Sequence, residues 1–185
     1  MENHTEQTKG AMATWLKYAL IGGAIAILLY VIPYIFNERI LFEQSYAWII
    51  IAALLVTGIL AAVERKKRQN NILPFGQAVG TSFSAYTLAT LIYTGFTMLL
   101  QFVIDTKFMV RAREYQMEKL QERLDKGEFT KQQYDKVVEF MGEMSTGKMM
   151  MFIAIFFIVM LVIGLIVFLI SSSIIRTKEE EATFR

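Results

Sequence analysis

Residues 149–175 read MMMFIAIFFIVMLVIGLIVFLISSSII and contain no charged side chain. A helix needs roughly 17 to 25 apolar residues to cross a bilayer, so this segment is long enough to span one. Inside lipid the backbone must satisfy its own hydrogen bonds, and a single apolar segment achieves this only as a helix. The segment therefore predicts a transmembrane helix.

Three further segments share this character and extend the prediction to the whole chain. Residues 19–36, 47–63 and 72–104 also contain no charged side chain. Aromatic residues near their ends, including Trp15 and Trp48, suit the interface between lipid and water. The first segment exceeds the roughly 7 to 15 apolar residues of a signal peptide, so we expect it to remain as an anchor. The sequence predicts an all-α membrane protein with four transmembrane helices.

The composition excludes many kinds of chemistry. The chain has 185 residues, of which 55% are hydrophobic and 19% charged, whereas soluble domains average roughly 25% charged residues. It contains no Cys and one His, so thiol catalysis, disulfides and the usual zinc sites are excluded. The run Met149–Met151 is interpreted as apolar packing and not as a copper site. We expect no metal, cofactor or catalytic residues, and the net charge of +2 does not suggest a nucleic-acid partner.

Residues 105–148 form a polar insertion between the third and fourth spans. Apolar residues recur there at steps of three and four, which predicts a helix that continues the third span. Gly127 interrupts the pattern, and the Thr130–Gln133 sequence TKQQ predicts a capping box at the start of a second helix. We predict an extramembrane amphipathic helical hairpin. Its candidate partner-binding residues are Phe108, Tyr115, Leu120, Leu124, Tyr134, Val138 and Met141.

The predicted organisation has five parts. They are a polar N-terminal tail (1–13), transmembrane helices 1–3 (14–104), the hairpin (105–148), transmembrane helix 4 (149–175) and a polar C-terminal tail (176–185).

The third span is unusually long and carries uncharged polar and small residues. At steps of three and four, such residues suit either close helix packing or a groove for a solute or lipid headgroup. The first two spans contain shorter series of small residues, Gly22 with Ala26 and Gly58 with Ala62, which also predict close packing. The candidate packing or ligand face comprises Gly76, Gln77, Gly80, Thr81, Ser84, Thr87, Thr94, Thr97 and Gln101.

A basic cluster between the second and third spans predicts the orientation. Residues 65–68 read RKKR, and short loops rich in Lys and Arg stay in the cytoplasm. With four spans, both termini are then expected in the cytoplasm.

The chain resembles an uncharacterised bacterial membrane family, domain of unknown function 4199, found mostly in Bacteroidota. The resemblance rests on LPFGQAVG at Leu73–Gly80 and on FVIDTKF at Phe102–Phe108, and it covers the order of spans. In the family the second motif usually has proline where this chain has Thr106. The resemblance implies a four-helix inner-membrane protein with a polar insertion after the third helix, and it implies no activity.

Two functions of different classes remain open. The first is a non-catalytic subunit or scaffold that binds a membrane protein, or a second copy of itself, through the hairpin and third helix. The second is a small permease or lipid-handling protein that uses the polar face of the third helix. An enzyme is not expected, because the spans contain no Asp, Glu, His, Arg or Cys and so lack the usual catalytic groups, which leaves only surface carboxylates such as Asp105 and Glu114.

Overall fold

The structure, a computed structural model, describes residues 2–128, 130–142 and 146–176, with side chains for 14–128, 130–140, 147–148 and 150–176. Within these ranges it is entirely helical and contains no strand. A 3-10 helix, Glu38–Phe42, and a π-helical turn, Leu100–Ile104, accompany six α-helices. The α-helices are α1 (Glu2–Phe36), α2 (Gln44–Arg68), α3 (Phe75–Leu99), α4 (Phe108–Asp125), α5 (Lys131–Gly142) and α6 (Thr146–Ile175).

Four of these helices confirm the predicted all-α fold. Each is long and apolar enough to cross a membrane. The apolar segments run over Thr14–Phe36, Gln44–Arg68, Phe75–Ile104 and Met150–Ile175. α1 already begins at Glu2, so the backbone of the predicted N-terminal tail is helical from that residue onward.

The first three spans pack against one another, and α6 packs against α2 and α3. The core contains small residues such as Ala26 and Ala89, together with the large side chains of Leu54, Tyr86 and Phe168. Tyr86 donates a hydrogen bond of 2.9 Å to the Met160 carbonyl, and its ring packs edge-on against Phe168 at 5.4 Å. These contacts fasten α6 to α3.

Glycines allow this close packing at the helix crossings. A Cβ on Gly22 would lie 2.6 Å from Thr57 Oγ1, and one on Gly58 would lie 2.9 Å from the carbonyl oxygen of Ser82. A Cβ on Gly164 would overlap the ring of Tyr86. The small-residue pairs predicted in the first two spans therefore do lie at helix contacts.

The predicted continuation of the third span into the insertion is wrong. The π-helical turn ends at Ile104, and α4 starts anew at Phe108 after a turn. Asp105 has neither helical nor extended backbone angles (φ −125°, ψ 77°), and its side chain is held by Arg111 and Tyr34. The chain thus breaks here without the family's proline, because side-chain bonds fix the turn.

Both sequence signals at the α4–α5 connection are confirmed. Gly127 has φ +74°, and its N–H donates 2.9 Å to the Leu124 carbonyl as α4 ends. The backbone N–H of Thr130 donates to Gln133 Oε1 at 3.0 Å, and the N–H of Gln133 donates to Thr130 Oγ1 at 3.3 Å. α4 and α5 are in contact. Their antiparallel arrangement as a hairpin stays a prediction.

Candidate functional site

The polar residues of the third helix fall into three separate groups. The first group lies at the start of α3. Gln77 accepts a 2.9 Å hydrogen bond from Arg65 Nη2 through its Oε1, and Thr81 accepts one of 2.6 Å from Arg65 Nη1. Thr81 also donates to the Gln77 carbonyl at 2.7 Å. These two side chains therefore join α3 to the basic end of α2.

The second group lines a surface groove. Ser84 and Thr87 face Trp15 of α1 across a space of about 300 Å³ that Phe83, Leu88 and Leu91 complete. Thr87 Oγ1 is buried and has no hydrogen-bond partner. A buried hydroxyl without a partner is unfavourable by itself, and its burial keeps this oxygen from direct contact with an occupant of the groove.

The third group lies toward the opposite end of α3. Thr97 donates 3.0 Å to the carbonyl of Thr94, and Gln101 Nε2 donates 2.9 Å to the Tyr30 hydroxyl. Thr94 borders a cavity of about 60 Å³ between α2, α3 and α6, which is far smaller than a ligand pocket. These bonds are local or join α3 to α1, so the nine candidate residues do not form one continuous polar face.

The glycines of α3 differ from those of the other spans. A Cβ built on Gly76, Gly80 or Gly95 would have no atom within 4 Å, and all three residues are exposed. They lie within about 100° of one another around the helix, with exposed Ser84 between them. We call Gly76, Gly80, Ser84 and Gly95 the glycine face. Sequence reasoning missed Gly95, although its lack of a side chain in a span was the available signal.

The apolar residues of α4 pack on the chain's own surface. Phe108 is only 4% exposed and lies against the rings of Tyr30, Tyr34 and Phe42 at 5.2 to 6.3 Å. Leu120 is 8% exposed. Three further candidates, Leu124, Tyr134 and Val138, are half-buried, and the side chain of Met141 lies outside the described residues.

The structure contains two clusters of charged side chains that sequence reasoning missed. Tyr115 belongs to the first. Its hydroxyl donates to Glu43, which Lys119 also binds at 3.2 Å. The hydrogen bond from Tyr115, followed by that from Lys119, lowers the pKa of Glu43. These bonds fasten α4 to the connection between α1 and α2.

The second cluster centres on Arg111. It donates to Asp105 at 2.6 Å and to Glu38 at 2.8 Å, and Tyr34 donates to Asp105 at 2.8 Å. The hydrogen bonds from Arg111, then Tyr34, lower the pKa of Asp105 to about 2. Asp105 is therefore a fixed anion and an unsuitable general base near neutral pH. No periodicity in the sequence could pair residues more than seventy positions apart, such as Glu38 and Arg111.

α5 presents an aromatic residue that the sequence did not single out. Phe140 is 55% exposed and packs edge-on against Phe152 of α6, with ring centroids 6.0 Å apart. Among the described residues, no group of three or more His, Cys, Asp or Glu side chains is arranged to hold a metal ion.

A family model described as "Protein of unknown function (DUF4199)" matches residues 17–177. The chain belongs to this family. No curated protein and no solved structure matches it. Both motifs of the resemblance lie within the matched range: Leu73–Gly80 leads into α3, and Phe102–Phe108 runs from the π-helical turn to the first residue of α4.

Proposed function

We propose that this protein is a non-catalytic membrane subunit or scaffold, and that the glycine face of α3 receives a helix of a membrane partner. The observation that carries this proposal is the contrast between two sets of glycines. Gly22, Gly58 and Gly164 lie where another helix approaches closely, whereas a Cβ built on Gly76, Gly80 or Gly95 would have no atom within 4 Å. Glycine costs about 1 kcal/mol relative to alanine within a helix, so an unoccupied glycine face is unfavourable for the single chain.

Close packing of a partner helix would explain why glycines occupy these positions. In lipid, helices associate through packing and interhelical hydrogen bonds, and small residues let the backbones come near each other. Gly76, Gly80 and Ser84 follow the four-residue spacing of such contacts. Exposed Phe140 of α5 supplies a possible second contact outside the span. The partner is a transmembrane helix of another protein or of a second copy.

Single cysteines test this contact cleanly, because the chain has no native Cys. In native membranes, Gly80→Cys is expected to crosslink to one discrete partner, and the crosslinked mass shows whether that partner is a second copy. Val159→Cys on α6 is a matched control, since Val159 is also exposed to lipid. Equal, unspecific crosslinking from both positions, or none from Gly80→Cys, contradicts the proposal.

A bulky side chain supplies an independent test. Gly80→Ile is expected to abolish the crosslink formed from Gly76→Cys while leaving the thermal stability of the isolated protein unchanged. The reason is that no atom lies within 4 Å of a Cβ at Gly80. A crosslink that survives Gly80→Ile contradicts a contact at this face.

The groove beside Trp15 supports a second candidate, a permease or lipid-handling protein. Its support is the space of about 300 Å³ that Ser84 and Thr87 line. Labelling of Thr87→Cys by water-soluble maleimide tests the permease. A conduit requires reaction from water, whereas a groove covered by a partner or acyl chains leaves the cysteine unreactive.

We also propose that the protein lies in the bacterial inner membrane with both termini in the cytoplasm. The RKKR cluster at the end of α2 supports this orientation. Cysteines placed at Lys67 and Lys126 should then label from opposite sides of sealed vesicles. Labelling of both from one side contradicts the orientation.

A further inference from the structure

Positive charge is concentrated at one end of the bundle, where α2 ends, α3 begins and α6 ends. We call this the basic end. Among the residues whose side chains the structure describes, this end has one carboxylate, Glu64, and six cations joined through contacts or shared helix turns. The cations are Lys17, Arg65, Lys66, Lys67, Arg68 and Arg176. At the opposite end, Arg39, Arg111 and Lys119 each pair with a carboxylate.

Glu64 forms no ion pair with Arg65, its neighbour in α2. It binds Lys17 at 3.1 Å and Arg68 at 2.5 Å. Among the described residues, Arg65 forms no ion pair, and its neutral partners are Gln77 and Thr81. Its Nε is buried and has no acceptor. The guanidinium is therefore held in position by neutral partners, with no carboxylate of the described residues paired to it.

Two more cations, Lys66 and Arg176, lie at the same end and come from different helices. Lys66 Nζ donates 2.7 Å to the carbonyl of Ile175, where α6 ends. The guanidinium of Arg176 lies 5.9 Å from the ring centre of Phe75, the first residue of α3. Side chains from α2 and α6 thus surround the start of α3. The positive end of the α3 dipole adds to the same field.

We propose that the basic end binds the phosphodiester headgroup of an anionic phospholipid. Clusters of Lys and Arg beside a transmembrane helix attract anionic headgroups, and guanidinium groups bind phosphate oxygens through paired hydrogen bonds. Apolar side chains border the cluster, including Ile174, which is 79% exposed, and Ile72. A phospholipid matches both features, since its phosphate meets the cations while its acyl chains cover the apolar residues. A free phosphate matches only the first.

The test measures lipid binding to the full-length protein. The protein is released from bilayers of phosphatidylcholine with phosphatidylglycerol, and co-purified lipid is counted by native mass spectrometry. Phosphatidylglycerol is expected to be retained preferentially. Each cation removed should weaken retention about fivefold at low salt, the factor that about 1 kcal/mol produces. In the double variant Lys67→Gln with Arg176→Gln, retention of phosphatidylglycerol should therefore be about 25-fold weaker.

A charge-matched control separates the site from the net charge. Lys107→Gln with Arg113→Gln removes two exposed cations at the opposite end and should retain the lipid. Arg65→Gln should also weaken binding. Because that change breaks a bond between α2 and α3, the Lys67 and Arg176 variant, with unchanged thermal stability, remains the deciding measurement.

Three results would overturn the proposal. These are equal retention of phosphatidylcholine and phosphatidylglycerol, equal loss in both double variants, and displacement of the lipid by millimolar inorganic phosphate. The last result would identify a free-anion site in place of a lipid site.

Discussion

Arg111 binds Asp105 and Glu38 at the same time, and so joins the start of α4 to two other parts of the chain. Its Nη2 lies 2.6 Å from Asp105 Oδ2, and its Nε lies 2.8 Å from Glu38 Oε1. Asp105 forms the turn after α3, while Glu38 belongs to the 3-10 helix after α1. Bidentate pairing of this kind fixes direction as well as distance. The insertion is thereby attached to the bundle at a defined position.

Arg111→Gln should release α4 from the bundle. We expect trypsin to cleave within α4 several-fold faster in the variant, because both carboxylates lose their cation. Arg113→Gln is the control, since it also removes one tryptic site but lies at an exposed position with a side chain outside this cluster. Equal cleavage of the two variants would show that Arg111 does not hold α4.

The side chain of Asp105 should titrate at an unusually low pH. Its pKa is lowered from 3.8 to about 2, with the hydrogen bond from Arg111 as the largest cause. A lowered pKa means that the stabilisation is complete above about pH 4 and is lost as the pH falls through about 2. The carboxyl ¹³C shift of Asp105 in detergent reports this midpoint. Arg111→Gln should move the midpoint toward 3.8, and an unmoved midpoint would refute this cause.

Gly58→Ala should destabilise the bundle. The new Cβ would lie 2.6 Å from Phe168 Cζ and 2.9 Å from the Ser82 carbonyl oxygen, so α2 would have to move. Overpacking of this kind costs about 1 to 3 kcal/mol, measurable as faster thermal inactivation in detergent. Gly80→Ala is the control and should leave stability unchanged or slightly higher, since alanine favours helix. The same loss in both variants would mean that helix contacts do not explain the effect.

Thr130→Ala should loosen the start of α5. The change removes the acceptor of the Gln133 N–H, and loss of such a cap costs about 1 kcal/mol of helix stability. Hydrogen exchange should become faster in the first turn of α5 and remain unchanged in α2. Gln132→Ala, an exposed neighbour without a capping role, should have no such effect. Similar exchange in the two variants would argue against the capping box.

Local signals predicted the helices and several of their ends. Charge-free segments gave the four spans, Gly127 marked the end of α4, and Thr130 with Gln133 marked the start of α5. The break at Asp105 was missed because it depends on Tyr34, which lies 71 positions away. The spacing of the polar residues in the third span predicted that they share one face of the helix. Arg65, Trp15 and Tyr30 instead contact different parts of that helix.

The sequence by itself determined an all-α fold with four helices long and apolar enough to span a membrane, because apolar segments of that length must satisfy their backbone hydrogen bonds within one helix. Tertiary structure decided which small residues lie at contacts between helices. Gly58 and Gly80 look alike in the sequence, yet a Cβ on Gly58 would overlap Ser82 of α3 and Phe168 of α6, whereas one on Gly80 would have no atom within 4 Å. It also decided that Phe108 packs inward and that Arg65 lacks a carboxylate among the described residues. These outcomes depend on how helices cross in space, and no local period of the sequence encodes that geometry.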